Sequence, residues 1–328
     1  MVVGPLKKGL RVALPVIIIF FLVFQCLPLF WVSSLKSVDS RNIFYTLIQG
    51  CFNAYPAVFS INFLCIAFGA MLISVFTVKH EIVDKQNYIP AFLYIFFCAL
   101  TLNKNLAHPA LFANIFILLA LNEITDSYRQ ENVLSRIFNA AFYTCLAFFF
   151  YINYAFFILL FFVTLSILRP FNWKEWVISL VGFFSVLFMY ACVGYLANYD
   201  FSEFFINVGE LLVFFQKPSI SEYFYPLFIS IWILLGLAIF KYISGGAGGT
   251  IKTQKTMSLV YWFLVLSVIN FFSKNNSSFF PVIASVIPLS ILLGDYFFNI
   301  KQLKIANTLF FFLLASGAVL FLMQFNVI

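Results

Sequence analysis

Long apolar runs, separated by short polar gaps, repeat along the whole chain. Continuous apolar character is typical of membrane helices, whereas the strands of membrane barrels alternate apolar and polar residues in segments of roughly ten. The pattern therefore predicts an all-α fold, a polytopic transmembrane helix bundle of about eleven spans that forms a single integral membrane domain over 1–328. The predicted spans are about 12–32, 56–78, 88–102, 109–122, 137–150, 152–168, 177–197, 223–241, 257–272, 279–298 and 306–326.

Composition argues for the membrane and against a soluble fold. Hydrophobic residues make up 63% of the chain and charged residues 9%, with a mean hydropathy of +1.02. A soluble protein needs a polar exterior that so few charges cannot supply. The six cysteines form no C-x-x-C pair and are interpreted as small apolar residues. The two histidines, His80 and His108, fall on opposite sides of the predicted membrane, so no metal site or cofactor is evident, and nothing predicts nucleic-acid binding.

The basic residues predict the orientation, because cytoplasmic loops carry an excess of lysine and arginine. With a cytoplasmic N-terminus, the outer loops hold Lys36, Arg41, Lys104, Lys217 and Lys274. The inner loops hold Lys7, Lys8, Arg11, Lys79, Lys85, Arg129, Arg136, Arg169, Lys174, Lys241, Lys252, Lys255, Lys301 and Lys304. This asymmetry predicts a multi-pass protein of the bacterial cytoplasmic (inner) membrane with its C-terminus outside. The first span has no clear cleavage site and is interpreted as an uncleaved anchor.

Four of the predicted spans are short. They form two successive hairpins, 88–122 and 137–168, whose members barely reach across a hydrocarbon layer of about 30 Å. Either the hairpins thin the local membrane, or they enter from the cytoplasmic side and stop part-way, shielded by longer neighbours. Their polar tips at 103–109 and 151–154 either line a water-filled cavity or reach the outer headgroups.

Some segments between spans have their own predicted structure. Asp200 and Glu203 form a capping-box pattern, and the phenylalanines that follow fall on one face, which predicts an interfacial helix on the outer surface. The segment 42–53 is a second candidate for such a helix. The glycine-rich stretch 244–249 lacks phosphate-loop spacing and is interpreted as a flexible cytosolic linker that carries Lys252 and Lys255.

One compact motif is predicted to lie at the inner leaflet. Tryptophan rings favour the headgroup region, and basic side chains meet anionic lipid phosphates. The motif therefore predicts a lipid-interface site, and the alternative is a docking surface for a cytoplasmic partner. Its residues are Arg169, Trp173, Lys174 and Trp176.

The outer loops contain candidate chemistry. If they converge, Asp39 supplies a carboxylate base, while Arg41, Lys104, His108 and Lys274 supply groups for binding a phosphate. The alternative is that these loops carry polar residues only because they contact water.

In the second half of the chain, a single acidic residue lies inside a predicted span. Asp295, near the inner end of its span, is a candidate ion site or a partner for Lys301 or Lys304. No predicted span has a charged residue at its centre, which argues against an ion-coupled transporter.

The chain resembles an uncharacterised family of multi-spanning bacterial inner-membrane proteins, on the strength of its phenylalanine-rich spans and the run from Leu168 and Arg169 to Trp176. Its architecture is also similar to the GT-C polyprenyl-phosphate-dependent glycosyltransferases. Those enzymes place an acidic residue in the first outer loop, matched here by Asp39, and a basic residue before a late proline-bearing span, matched by Lys274 before Pro281 and Pro288.

Two functions remain open from the sequence. The resemblance implies a GT-C-like role with a lipid-linked, polyprenyl-phosphate substrate at the outer face, in which Asp39 is the catalytic base or a metal-assisted acid. The alternative is a non-enzymatic membrane subunit or scaffold of an envelope protein complex. The expected partners are membrane lipids, then a polyprenyl-phosphate lipid or the proteins of a membrane complex.

Overall fold

The computed structural model is helical throughout the part of the chain that it describes. The described residues are 6–7, 15, 17–21, 44, 55–83, 87–102, 108–199, 201–211, 225–243, 250–271, 281–300 and 302–324. The helices are α1 (Tyr55–Lys79), α2 (Ile89–Leu102), α3 (Pro109–Asp126), α4 (Leu134–Phe150), the short 3-10 helix η1 (Ile152–Ala155), α5 (Phe156–Leu168), α6 (Trp173–Leu196), α7 (Phe201–Leu211), α8 (Tyr225–Lys241), α9 (Ile251–Phe271), α10 (Pro281–Asn299) and α11 (Leu303–Gln324). The predicted all-α fold is confirmed.

Among the described residues, four helices are long and apolar enough to cross a membrane. They are α1 from Ser60 onward, α3, α6 and the first eighteen residues of α11. The shorter apolar stretches are Ile89–Leu100 of α2, α4, the η1–α5 pair, α8 and Ile283–Asn299 of α10. The predicted first span at 12–32 lies largely outside the described residues.

Helix boundaries differ from the predicted spans where polar residues supply local hydrogen bonds. The predicted span at 109–122 continues to Asp126 as α3, where the Ser127 N–H donates to the Ile124 carbonyl at 3.2 Å and caps the helix. Helix α9 begins six residues before its predicted span, because the Thr250 hydroxyl accepts a hydrogen bond from the Thr253 backbone N–H at 3.3 Å and caps the helix. The prediction that Lys252 and Lys255 belong to a flexible linker is therefore wrong.

Two short helices form the centre of the bundle. Every residue of α2 from Ile89 to Leu100 is buried, and α2 packs on α10, α1 and α11. Helix α10 also packs on α9, α3 and α8. The short helix α2 of the first predicted hairpin is thus shielded by its neighbours, and both alternatives for how this hairpin meets the membrane stay predictions.

Close approach in this centre depends on two glycines. A Cβ added at Gly317 of α11 would lie 2.3 Å from Cζ of Phe96 on α2, and one at Gly294 of α10 would lie 2.5 Å from Cγ of Pro90. Small residues at such crossings let helices approach closely enough for extensive van der Waals contact. A side chain at either glycine would therefore clash with α2.

The remaining helices surround this centre. Helix α4 packs between α3 and α6, α5 lies against α9, and α8 pairs with α11. The predicted helix after Asp200 is present as α7, and its Phe204 packs on Phe149 and Tyr190 with ring centroids 5.7 and 5.2 Å apart. Phe205, predicted to share the apolar face, is exposed.

The helix ends gather at two ends of the bundle. We call the end at which α1, α3, α5, α8 and α10 finish the polar end, and the other the opposite end. Contacts between these termini define the polar end: Lys79 pairs with Asp126, and the Lys255 ammonium donates to the Ile167 carbonyl at 3.0 Å. The described lysines and arginines all belong to helix termini or loops at the polar end, namely Lys7, Lys79, Arg129, Arg136, Arg169, Lys174, Lys241, Lys252, Lys255 and Lys304.

Candidate functional site

Most of the residues predicted for the phosphate site lie outside the described part of the chain. Asp39, Arg41, Lys104 and Lys274 are among these, so their roles stay predictions. His108 is described, and it lies at the opposite end as the N-cap of α3. Its Nδ1 accepts a hydrogen bond from the Ala110 backbone N–H at 3.1 Å.

The environment of His108 keeps its imidazole neutral. The residue is 2% exposed, and burial lowers its pKa to about 3. A ring whose Nδ1 accepts a backbone hydrogen bond must carry no proton on that nitrogen. His108 is therefore a neutral hydrogen-bonding group, and it adds no positive charge to the predicted phosphate site.

Uncharged polar side chains, all buried except the partly exposed Tyr151, lie near His108 at the opposite end. We call His108, Asn114, Tyr151, Asn153 and Tyr154 the neutral cluster. The Tyr154 hydroxyl donates to the Asn114 side-chain oxygen, and the Asn114 amide donates to the Ile283 carbonyl at 3.1 Å. These bonds tie η1 to α3 and α3 to the start of α10.

The second hairpin tip belongs to this cluster. The Asn153 amide donates to the Tyr151 hydroxyl at 3.3 Å, and the Tyr151 ring lies edge-on to His108 with centroids 5.1 Å apart. Asn153 and Tyr154 are both buried. The tip therefore makes its described contacts with protein groups, and contact with a water-filled cavity or with headgroups stays a prediction.

Phe44 is the one described residue in 33–54, the segment after the first predicted span. It packs in a layer of aromatic rings next to the neutral cluster. The Phe44 ring lies 5.7 Å from Phe150 and 5.6 Å from Tyr190, between centroids. Phe150 in turn stacks on Phe112, one turn into α3 from His108, at 5.8 Å. Phe44, the start of α3 and the start of α10 thus lie at the same end of the bundle.

The polar end is organised by charges. Asp126, at the end of α3, pairs with Lys79 and lies 3.3 Å from the Arg136 guanidinium. His80 is fully buried beside it, with Nε2 4.0 Å from the Asp126 carboxylate. Burial, assisted by the Lys252 ammonium, lowers the pKa of His80 to about 4 despite the opposing effect of Asp126.

A second charged group at the polar end fixes the connection between α3 and α4. Arg169 contacts both oxygens of the buried Glu175 carboxylate through Nε, at 3.0 and 2.9 Å. Its Nη1 donates to the Ser127 and Gln130 carbonyls at 2.6 and 3.0 Å. We call this arrangement the Arg169 clamp.

The predicted lipid-interface residues divide between inward and outward positions. Arg169 makes its described contacts with protein groups, and the Trp176 ring stacks on Phe162 with centroids 5.3 Å apart. Trp173 and Lys174 are exposed on the first turn of α6, which Asn172 caps by accepting from the Lys174 N–H at 3.2 Å. Lipid contact by the motif stays a prediction, with Trp173 and Lys174 the members free to make it.

A cavity of about 200 Å³ also opens at the polar end. It is bounded by the end of α8, the start of α9, the end of α10 and the turn at Glu81–Val83, and it is lined by Lys241, Tyr242, Gln254, Tyr261 and Asp295 among others. Asp295 and Lys241 both line the cavity and interact electrostatically, and Asp295 accepts a hydrogen bond from the Asn299 amide at 2.8 Å. Lys301, one of its two predicted partners, lies outside the described residues.

Asp295 was identified as a candidate from the sequence, whereas the residues around it were not. Lys241 is 54 positions earlier, and no spacing rule links the two. The available signal was that a carboxylate inside an apolar run needs a partner. Asn114 was missed as well, although an asparagine within an apolar run carries the same signal.

The described residues contain no group of three or more histidine, cysteine, aspartate or glutamate side chains arranged to hold a metal ion. No protein-family model, curated protein or solved structure matches the chain.

Proposed function

We propose that the chain is a multi-spanning protein of the bacterial inner membrane, with its polar end in the cytoplasm. Support comes from the gathering of the described lysines and arginines at one end, as the positive-inside rule expects. The exposed faces of α1 and α6 are apolar, with Leu64, Met71, Phe184 and Phe188 each more than half exposed, and such faces suit contact with acyl chains.

We propose further that the protein acts on a lipid-linked phosphate at the opposite end, in the manner of the GT-C glycosyltransferases. One observation supports this most strongly: the described residues next to each unplaced candidate lie at that same end. Arg41 is three residues from Phe44, Lys104 is four from His108, and Lys274 is seven from Pro281. At roughly 3.5 Å per extended residue, chain segments of three and four residues span at most about 10 and 14 Å.

The proposed chemistry assigns a role to each group. The cations Arg41, Lys104 and Lys274 bind the phosphate of a polyprenyl-phosphate sugar donor. Asp39 removes the proton from an acceptor hydroxyl, whose oxygen forms a bond to the sugar carbon as the bond from that carbon to the phosphate oxygen breaks. The electron pair leaves on the polyprenyl phosphate, where the cations stabilise the charge.

Lipid binding tests the phosphate site. The purified full chain is mixed with polyprenyl phosphate or with the uncharged polyprenol, and retention of each is measured by native mass spectrometry. We expect selective retention of the phosphate, and the Lys104→Ala/Lys274→Ala variant should lose at least about tenfold in affinity. The matched control, Arg129→Ala/Lys304→Ala, removes two exposed cations at the polar end and should bind like the wild type.

The catalytic role requires a separate variant. Asp39→Ala should abolish sugar transfer and leave polyprenyl-phosphate retention unchanged, because the carboxylate is assigned to proton removal and not to binding. Equal retention of polyprenol and its phosphate would reject the phosphate site, and transfer by Asp39→Ala would reject the assigned base.

A second candidate function is a non-enzymatic subunit of an envelope complex. It is favoured by α6, which is the least buried of the four long apolar helices and packs chiefly on α4. Under this alternative a protein co-purifies in fixed ratio, Phe184→Ala/Phe188→Ala releases it, and Asp39→Ala does not. Without a stoichiometric partner in the native membrane, the subunit hypothesis fails.

A further inference from the structure

The cavity at the polar end is formed by three helices that do not close it. Helices α8 and α9 both pack on α10 but make few contacts with each other. A cleft therefore remains between them, with the last turns of α10 as its floor. The rings of Tyr242 and Tyr261 meet across it with centroids 4.9 Å apart.

The lining of this cavity carries both signs of charge. Asp295 and Glu81 supply carboxylates, and Lys241 supplies an ammonium that lies 5.8 Å from the Tyr296 ring centroid. A ligand that carried only a positive or only a negative charge would lie against a lining side chain of the same sign. A ligand with one positive and one negative group meets a complementary partner for each.

Neutral hydrogen-bonding groups complete the lining. Tyr242, Tyr261, Tyr296, Thr253, Gln254 and Asn299 all reach the cavity. The faces of the tyrosine rings attract an ammonium group, and their hydroxyls and the two amides can donate to phosphate oxygens. The mixture suits a ligand that combines an ammonium with a phosphate.

The surroundings of the cleft favour a lipid as the source of that ligand. Phe240 on α8, Ile243 just after α8, and Ile251 and Trp262 on α9 are exposed apolar side chains of the segments that flank it. In a membrane these side chains face acyl chains. At about 30 Å³ per water, the 200 Å³ cavity has room for roughly six waters, which is enough for a phospholipid headgroup.

We propose that this cavity binds a zwitterion with a primary ammonium and a phosphate, supplied by the phosphoethanolamine headgroup of a membrane lipid. Lys241 holds the phosphate, while Asp295 and Glu81 hold the ammonium beside the tyrosine rings. This site is independent of the proposed phosphate site, which lies at the opposite end of the bundle.

Lipid selectivity tests the proposal directly. The purified full chain is offered equal amounts of phosphatidylethanolamine, phosphatidylglycerol and phosphatidylcholine with identical acyl chains, and bound lipid is measured by native mass spectrometry. We expect phosphatidylethanolamine to be retained about tenfold over each of the others, since one lacks the ammonium and the other has no N–H to donate. Retention of phosphatidylglycerol at an equal or higher level would overturn the zwitterion assignment.

Free O-phosphoethanolamine has the same ammonium and phosphate groups as the lipid headgroup, so it distinguishes a soluble ligand from a lipid. Calorimetric titration with free O-phosphoethanolamine gives weak binding or none if the lipid is the natural ligand. Binding of the free compound without selectivity for the lipid would support the zwitterion site and reject the membrane as its source. Binding of neither overturns the proposal.

Variants of the lining identify the cavity as the site. Lys241→Gln and Asp295→Asn should each lower phosphatidylethanolamine retention about tenfold, because each removes one charge partner. The controls Lys304→Gln and Glu131→Gln neutralise exposed charges at the same end and should leave retention unchanged. Should either lining variant fail to fold, Tyr261→Phe removes only a hydroxyl and should still weaken binding. Equal losses in lining and control variants would contradict the assignment.

Discussion

At the polar end the helix termini are joined by charged side chains, whereas at the opposite end they are joined by neutral ones. The Arg169 clamp and the Asp126 pairs connect α3, α4 and α6 through carboxylates and guanidinium groups. The neutral cluster connects α3, η1 and α10 through an amide, a phenol and a buried imidazole. Both ends therefore connect helix termini through side-chain contacts, one with charged groups and the other with neutral groups.

Exposure and pairing together account for the difference, since the one buried carboxylate of the Arg169 clamp, Glu175, is paired with Arg169. Lys79 and Arg136 remain about a third or more exposed, so their charges keep part of their hydration. Asn114 and Tyr154 are fully buried, where an ionised group would cost several kcal/mol unless it were completely paired (about that much per ion). The described polar contacts at the opposite end are therefore made without charged groups.

The largest effect is expected from breaking the Arg169 clamp. Arg169→Ala leaves the buried Glu175 carboxylate unpaired and frees the Ser127 and Gln130 carbonyls, which should lower the free energy of unfolding by about 3–5 kcal/mol. Thermal unfolding in detergent measures this change. The neighbouring Lys174→Ala serves as the control and should change stability by less than about 0.5 kcal/mol. A wild-type melting temperature for Arg169→Ala would contradict the clamp.

Acid should destabilise both ends through their histidines. The folded-state pKa values of His80 and His108 are lowered to about 4 and about 3, so below the ordinary value near 6.5 the unfolded chain takes up protons that the folded chain cannot. Stability is unaffected by these groups above that value and falls as the pH drops below it. At pH 5 the loss is about 2 kcal/mol for each histidine.

Histidine variants separate this effect from titration of the carboxylates. Unfolding is measured at pH 7 and pH 5 for the wild type, His80→Gln and His108→Asn, the second of which keeps an N-capping side chain. Each variant should lose its histidine's share of the pH dependence. Identical pH dependence in all three proteins would show that neither imidazole is held neutral by burial.

A smaller loss is expected from the neutral cluster. Tyr154→Phe removes the hydroxyl that donates to Asn114 and leaves the buried amide oxygen without that partner, which should cost about 1–2 kcal/mol. Tyr195→Phe alters a tyrosine that is 80% exposed and is the matched control. Unfolding free energies that do not differ between the two variants would show that the bond adds nothing to stability.

The smallest effect belongs to the exposed ion pair at the polar end. Arg136→Ala removes one of two cations from Asp126, and pairs this exposed contribute about 0.5 kcal/mol. The difference from wild type should shrink further in 1 M salt, because screening weakens exposed pairs. A loss as large as that of Arg169→Ala would mean that exposure does not govern the energies at this end.

The sequence predicted the helices well because each depends on a continuous apolar run. It misplaced the start of α9, where 251–256 is polar and a single threonine cap at Thr250 determines the boundary. It could not tell which helix is central, since Phe96 on the buried α2 and Phe184 on the exposed α6 belong to equally apolar runs. In a membrane protein the apolar interior and the lipid-facing surface have similar compositions.

The sites were less predictable than the helices. Asp295 stood out in its run, but its position in the same cavity as Lys241 results from packing of α8 and α10 and is encoded in no local pattern. Arg169 was assigned to lipid because of its tryptophan neighbours, and nothing nearby in sequence indicates that it reaches the Ser127 carbonyl. Contacts between residues far apart in the chain decided both cases.

Labelling from the two sides of the membrane tests the central claim, that the ends of the bundle face opposite compartments with the polar end in the cytoplasm. In a background with all six native cysteines replaced, Glu131→Cys marks the polar end and Asn105→Cys marks the segment before His108. A membrane-impermeant maleimide applied to intact spheroplasts should label Asn105→Cys, and should label Glu131→Cys only after permeabilisation. Labelling of both from one side, or the reverse pattern, would contradict the account.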